Sequence, residues 1–177
     1  TPGGWSLGAE YSFRENMPLQ WNAFELIYGG LQLPNSLLFQ RERAAAAASG
    51  ENLAGKEMAG YDRFHVSQAQ FTLIKFIDQV MGASRMSVVT EFGGTYVHGL
   101  PSKDEARYGR SGTFGIGDFN LPALGISCST NPAVSPLPTN NNPLNCTNEG
   151  FTTSFSWGYR ARFTLDYNNA FAGVNLF

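Results

Sequence analysis

The sequence predicts an all-β chain, a segment of an antiparallel up-and-down transmembrane β-barrel with long outer loops, one of them carrying a short helix. Three observations lead there. Apolar and polar residues alternate at a period of two in five separate stretches, which is the strand period and fits no helix. The oily faces of these stretches are rich in aromatic residues while the opposite faces carry full charges. The connections alternate between long and short, as in barrels with short turns on one side and long loops on the other.

Strand one, about 5–14, sets Trp5, Leu7, Ala9, Tyr11 and Phe13 against Ser6, Gly8, Glu10, Ser12 and Arg14. Strand two, about 63–77, places Ala69, Phe71, Leu73 and Ile77 against Gln68, Gln70 and Thr72. Its faces are less pure, with Ile74 and Phe76 on the polar side and Lys75 on the oily one, from which it could snorkel near a strand end. Strand three, about 85–98, opposes Met86, Val88, Phe92 and Tyr96 to Ser87, Glu91 and Thr95. Strand four, about 151–167, is the cleanest. Phe155, Trp157, Tyr159, Ala161, Phe163, Leu165 and Tyr167 point one way, and Ser154, Ser156, Gly158, Arg160, Arg162, Thr164 and Asp166 the other. Strand five, about 170–177, has Ala172, Val174 and Leu176 on one side and Gly173 and Asn175 on the other.

The aromatic faces assign Phe155, Trp157, Tyr159, Phe163, Leu165 and Tyr167 to outer-membrane lipid, since aromatic girdles around an apolar band mark lipid-facing strands. The other face would line a hydrated lumen with Glu10, Arg14, Glu91, Arg160, Arg162 and Asp166, either as ion pairs that stiffen the barrel or as a wall that orients a head group or sets selectivity. Short turns at 78–84 and at Asn168-Asn169 would share one side, and long loops at 15–62 and 99–150 the other. Five strands are fewer than the roughly eight of the smallest single-chain barrels, so residues 1–177 read as a partial barrel domain.

The first loop is too apolar for disorder and reads as an inward plug or hatch, with Trp21, Phe24, Leu26 and Ile27 on a hydrophobic solute's path. Within it, Arg41-Glu42-Arg43 and Ala44 to Ala48 predict a helix ended by Ser49-Gly50. The second loop, with Pro132, Pro136, Pro138, Pro143 and Asn140-Asn141-Asn142, reads as solvated and irregular. Cys128 and Cys146 in that loop predict a disulfide in an oxidising compartment.

Charged residues make up 15% of the chain, below the roughly 25% of soluble domains. A net charge of -2 without a basic block excludes nucleic acid as a partner. No apolar run reaches the roughly 18 residues of a membrane helix, which leaves a barrel as the spanning form. Motifs for nucleophilic hydrolysis, phosphate binding or zinc are absent from the sequence, so no enzyme, cofactor or metal is expected. Gly112 to Gly117 is glycine-rich but lacks the strand-to-helix setting of a phosphate loop, His65 and His98 read as rim residues, and Asp118 and Asn120 make at most two oxygen ligands.

Several stretches resemble a proteobacterial family known as domain of unknown function number thirteen hundred and two. They are Leu7 to Arg14 leading into Asn16-Met17-Pro18-Leu19-Gln20, Val66-Ser67-Gln68-Ala69-Gln70, Trp157-Gly158-Tyr159-Arg160, and Asp166 through Leu176. The resemblance implies the later part of a longer outer-membrane barrel protein, and so an internal break at Phe177 rather than the aromatic end of a complete barrel. It further implies a periplasmic partner of lipoprotein-carrier type, an inner-membrane exporter, and a hydrophobic small molecule such as a lipid, steroid or terpene as cargo. The expectation is therefore passage of such a molecule across the bacterial outer membrane. A structural or adhesive outer-membrane protein with a filled lumen, and a soluble secreted β-sandwich, are the alternatives.

Overall fold

A computed structural model describes residues 2–121, 126–128, 143–171 and 174–176. In chain order the elements are β1 (Trp5–Gln20), α1 (Ala23–Gly30), α2 (Leu37–Ser49), β2 (Tyr61–Val80), β3 (Ala83–His98), β4 (Asn120–Leu121), β5 (Ile126–Ser127), β6 (Phe155–Phe171) and β7 (Val174–Leu176). Five strands form one sheet in the order β1-β2-β3-β6-β7, an up-and-down arrangement, while β4 and β5 pair only with each other. Among the described residues the sheet is open, with β1 and β7 at its ends, and no helix is long and apolar enough to cross a membrane. The chain divides into two compact units.

The first unit comprises Thr1–Glu15, His65–His98 and Ser154–Phe177. Its register is continuous: Phe71 lies opposite Phe92, which lies opposite Tyr159, and Thr72, Glu91 and Arg160 form the neighbouring row. Tyr11 Oη meets Ser67 Oγ at 3.1 Å and the Phe13 ring stacks on His65 at 5.8 Å, which places the odd-numbered residues of β1 on the aromatic face. A two-residue turn joins β2 to β3, with Met81 (φ 55°) and Gly82 (φ 79°) both left-handed, the conformation that matches strand twist in tight hairpins. The turn is thus shorter than the 78–84 that the sequence suggests.

Two further strand ends differ from the alternation pattern. β1 continues to Gln20 rather than stopping near Arg14, with Asn16 at a left-handed φ of 53° inside it. A left-handed residue breaks the regular side-chain alternation while the strand goes on, so the pattern ends before the strand does. Asn168 and Asn169, expected to form a turn, lie inside β6, which runs on to Phe171; the Asn168 amide donates to Ser84 Oγ at 3.3 Å and Tyr167 pairs with Leu176. At the other end of β6 the strand starts at Phe155, not near 151. Phe151 is instead buried in the second unit, where Gly150 (φ 77°) turns the chain and the Thr152 amide donates to the Tyr108 carbonyl at 3.0 Å.

The second unit comprises Asn16–Phe64 and Gly99–Thr153. The first long connection holds two helices where the sequence suggests one. Asn22 caps α1, its side chain accepting from the Phe24 amide at 3.0 Å, and Ser36 caps α2 by accepting from Phe39 at 3.2 Å. α2 ends at Gly50 in the left-handed region (φ 70°), the common helix stop. The core is built from Trp21, Leu38, Ala106 and Tyr108, with Leu19, Leu26, Leu37, Phe64 and Leu100 packed around it. Trp21 and Tyr108 pair through their backbones in an isolated bridge, which ties the start of the first connection to the middle of the second.

The second connection is more ordered on its flanks than its composition suggests. Arg107 donates to the carbonyls of Lys103 (2.8 Å) and Ile116 (2.9 Å) and to that of Asp118, while Arg110 donates to Thr147 (2.6 Å), Glu149 (3.0 Å) and Phe114 carbonyls and lies 4.5 Å over the Phe151 ring. Each arginine acts as a multi-headed clamp on backbone that has no sheet partner. Cys128 and Cys146 form a disulfide with their Cα atoms 5.4 Å apart. Pro132, Pro136, Pro138 and Asn140 to Asn142 lie outside the described residues, and so do Ala172, Gly173 and Phe177.

Candidate functional site

Across β1, β2, β3 and β6 one face of the first unit is apolar and open. Trp5, Leu7, Tyr11 and Phe13 on β1, Phe71 on β2, Phe92 and Tyr96 on β3, and Phe155, Trp157, Tyr159 and Phe163 on β6 are all exposed. Trp157, Tyr159 and Phe163 stand 69%, 68% and 67% exposed, far more than apolar side chains keep in a covered sheet. Leu165 and Tyr167 share the face and are half-buried. The rings interlock along the sheet: Phe92 stacks on Tyr159 at 6.1 Å and Tyr159 on Trp157 at 6.5 Å, within the range of favourable offset pairs. Lys75 falls on this face, and its ammonium lies 4.8 Å over the Trp5 ring and donates to the Gly3 carbonyl.

The opposite face carries the charges. Glu91 and Arg160 are directly cross-strand and form an ion pair. Glu10, Ser12 and Arg14 with Gln68 and Gln70 surround a hollow of about 380 Å³. Gln70, Glu91 and Arg160 border a second hollow of about 410 Å³, whose floor is the cross-strand pair Gly93 and Gly158. Arg162 sits opposite Val89 and Asp166 opposite Arg85, whose Nε instead bonds Asp78 at 3.1 Å. The face is not uniformly polar, since Ile74, Phe76 and Val89 also lie on it, toward the hairpin end. Among the described residues no group of three or more potential metal ligands occurs.

A family model described as Protein of unknown function (DUF1302) matches residues 1–177. The chain belongs to that family. No curated protein and no solved structure matches it.

In this DUF1302 chain the loop residues expected on a solute path differ in exposure, and Leu26 packs against the cluster that holds Trp21. Trp21 is 1% exposed and belongs to the core, because its indole N–H donates to Asp62 Oδ2 at 2.7 Å and Arg41 stacks over its ring at 4.6 Å. Phe24 is half-buried and meets Tyr28 edge-on at 5.6 Å, and Ile27 is exposed. Leu26 lines a groove of about 520 Å³ together with Pro18, Gln20, Gly60, Tyr61 and Arg63. Gly60 packs closely there: a Cβ at that position would sit 3.0 Å from a Leu26 methyl, which would have to give by a few tenths of an ångström.

Two polar centres of the second unit were not singled out by sequence reasoning. Asp62 Oδ2 accepts from Trp21, from Tyr108 Oη at 2.7 Å and from Arg41 at 2.8 Å. Burial first, and then the bond to Asp62, push the Tyr108 phenol above its ordinary value and keep it a donor. Glu25 is fully buried on α1, where its Oε2 accepts from the Leu37 amide at 2.7 Å and lies 3.0 Å from Ser36 Oγ, and its Oε1 is 3.8 Å from Arg107. Burial raises its carboxyl above the ordinary range, against the lowering pull of Ser36 and Arg107. The Asn22-x-x-Glu25 spacing is a helix-start signal that could have located α1. It would have misassigned Glu25, which serves the first turn of α2 rather than its own helix.

Proposed function

We propose that this DUF1302 chain is part of a transmembrane β-barrel of the bacterial outer membrane that passes a hydrophobic or amphiphilic small molecule. The observation that carries the reading is the two-faced sheet of the first unit, with an open aromatic face on four successive strands and charges bordering open hollows on the other. Lipid is the medium in which such an aromatic face is stable, and a water-filled lumen is where Arg160, Arg162 and Glu10 avoid the cost of desolvation. The apolar first connection supplies groups that could meet an oily solute. The family resemblance adds a periplasmic carrier-like protein and an inner-membrane exporter as partners.

The Glu91–Arg160 pair favours a second reading, in which the lumen is filled and the protein is structural or adhesive. Native protein extracted in detergent separates these proposals from a soluble sandwich: a closed barrel shifts mobility on a denaturing gel when boiled, whereas a soluble domain extracts in plain buffer and does not shift. Uptake of an oily fluorescent tracer by cells with and without the protein then decides between passage and a structural role. Equal uptake would remove the transport reading.

A further inference from the structure

The groove bordered by Pro18, Gln20, Leu26, Gly60, Tyr61 and Arg63 has features that the idea of an oily path does not require. Its walls at Pro18, Leu26 and Tyr61 are apolar, yet it holds a guanidinium without a counter-charge. Arg41, Arg85, Arg107 and Arg160 each pair with a carboxylate. Arg63 pairs with none among the described residues. It is nonetheless held in place: Nη1 donates to the Asn16 carbonyl at 2.9 Å and the guanidinium carbon lies 5.4 Å over the Tyr61 ring. That carbonyl belongs to Asn16, which takes a left-handed φ of 53° inside β1. The Nε and Nη2 donors have no partner among the described residues, and an arginine edge of this kind matches the two oxygens of a carboxylate.

We propose that this groove binds a carboxylate-bearing amphiphile, with Arg63 taking the head group and Leu26, Pro18 and Tyr61 covering the first part of the hydrocarbon. The proposal rests on the reading above and adds the charge class of the solute. A volume of about 520 Å³ is in the range of small-molecule sites. The positive charge selects anions, the planar fork selects carboxylates, and the apolar walls reject small hydrophilic acids. Asn16 and Tyr61 hold the guanidinium before the ligand arrives, so little side-chain freedom is lost on binding.

The test uses the full protein in detergent micelles, a dodecanoic acid carrying a diazirine next to its head group, and the matching alcohol. After irradiation, labelling at Leu26 and Tyr61 is measured by peptide mass spectrometry. The acid is expected to label these residues about tenfold more than the alcohol, the difference made by one charge-assisted hydrogen-bond pair. Arg63→Gln is expected to reduce acid labelling to the alcohol level, Arg63→Lys to retain part of the preference, and Leu26→Gln to lower both probes together. The heat-dependent gel shift of each variant checks that it is folded. Equal labelling by acid and alcohol, an unchanged preference in R63Q, or labelling confined to the sheet aromatics would each overturn the proposal. Oily-tracer uptake is scored separately on the same variants, so an uncharged tracer that still crosses in R63Q leaves the transport reading standing while the anion site falls.

Discussion

Asp62→Ala removes the single oxygen on which three donors from distant parts of the second unit converge. Trp21 and Tyr108 are buried, so an indole N–H and a phenol left without an acceptor cost about 1–3 kcal/mol each. Arg41 is 38% exposed and already contacts Glu42 at 3.2 Å, so its loss adds less than about 1 kcal/mol. Water entering the vacated space recovers part of the sum, and a net destabilisation of about 3 kcal/mol is expected. Asp62→Asn keeps an oxygen and should cost about 1 kcal/mol, the charge assistance alone. Of the three tryptophans, Trp5 and Trp157 are exposed, so a background with both changed to Phe makes emission report Trp21 only. Urea titrations of that emission give the stability of the second unit. The decisive control is Tyr108→Phe: with the hydroxyl already gone, adding D62A should cost about 1–2 kcal/mol less than it does alone. A D62A variant within about 0.5 kcal/mol of wild type, or strictly additive double variants, would refute the account of Asp62 as a shared acceptor.

Other outcomes follow from the same geometry. Glu25→Ala leaves the first amides of α2 and the Arg107 charge without their partner and should cost about 3 kcal/mol by the Trp21 titration, while Glu25→Gln keeps an acceptor and stays within about 1 kcal/mol at neutral pH. Because the folded Glu25 carboxyl lies above its ordinary value of 4.5, the folded state holds that proton more tightly than the unfolded chain does. The stabilisation is complete below that ordinary value and is lost as pH rises through the folded value, so wild type should weaken over that window where E25Q stays flat. Phe163→Arg should cost about 2–4 kcal/mol of folding in lipid if the aromatic face meets a bilayer, but under about 0.5 kcal/mol if the residue simply faces water; refolding into vesicles measures the difference. Gly117→Ala puts a Cβ 2.8 Å from the Phe151 ring at a φ of +92°, and should lower the thermal midpoint by several degrees, about 2 kcal/mol or more. Reduction of Cys128–Cys146 should lower second-unit stability by about 3 kcal/mol on the loop-entropy estimate, seen as an earlier urea midpoint.

The faces of the strands were legible in the sequence because alternation is a property of the local backbone: once residues 5–13 or 155–165 are extended, the side on which Trp5, Tyr11, Trp157 or Phe163 projects is fixed by parity. The helix through Ala44 to Ala48 and its stop at Gly50 were legible for the same reason, since propensity and a left-handed cap act within a turn. Membership of the DUF1302 family also lay in the residues themselves. Tertiary structure decided the rest. Whether a strand continues through a left-handed Asn16 or ends there, and whether Asn168-Asn169 turns or stays within a strand, depends on the partner strand that takes up the backbone groups. Trp21 is buried because Asp62 and Tyr108, 41 and 87 positions along the chain, close around it. Glu25 leaves its own helix start because α2 offers unpaired amides that only a buried carboxylate reaches. Burial and the choice of hydrogen-bond partner depend on residues brought near by folding, and no window of sequence contains them.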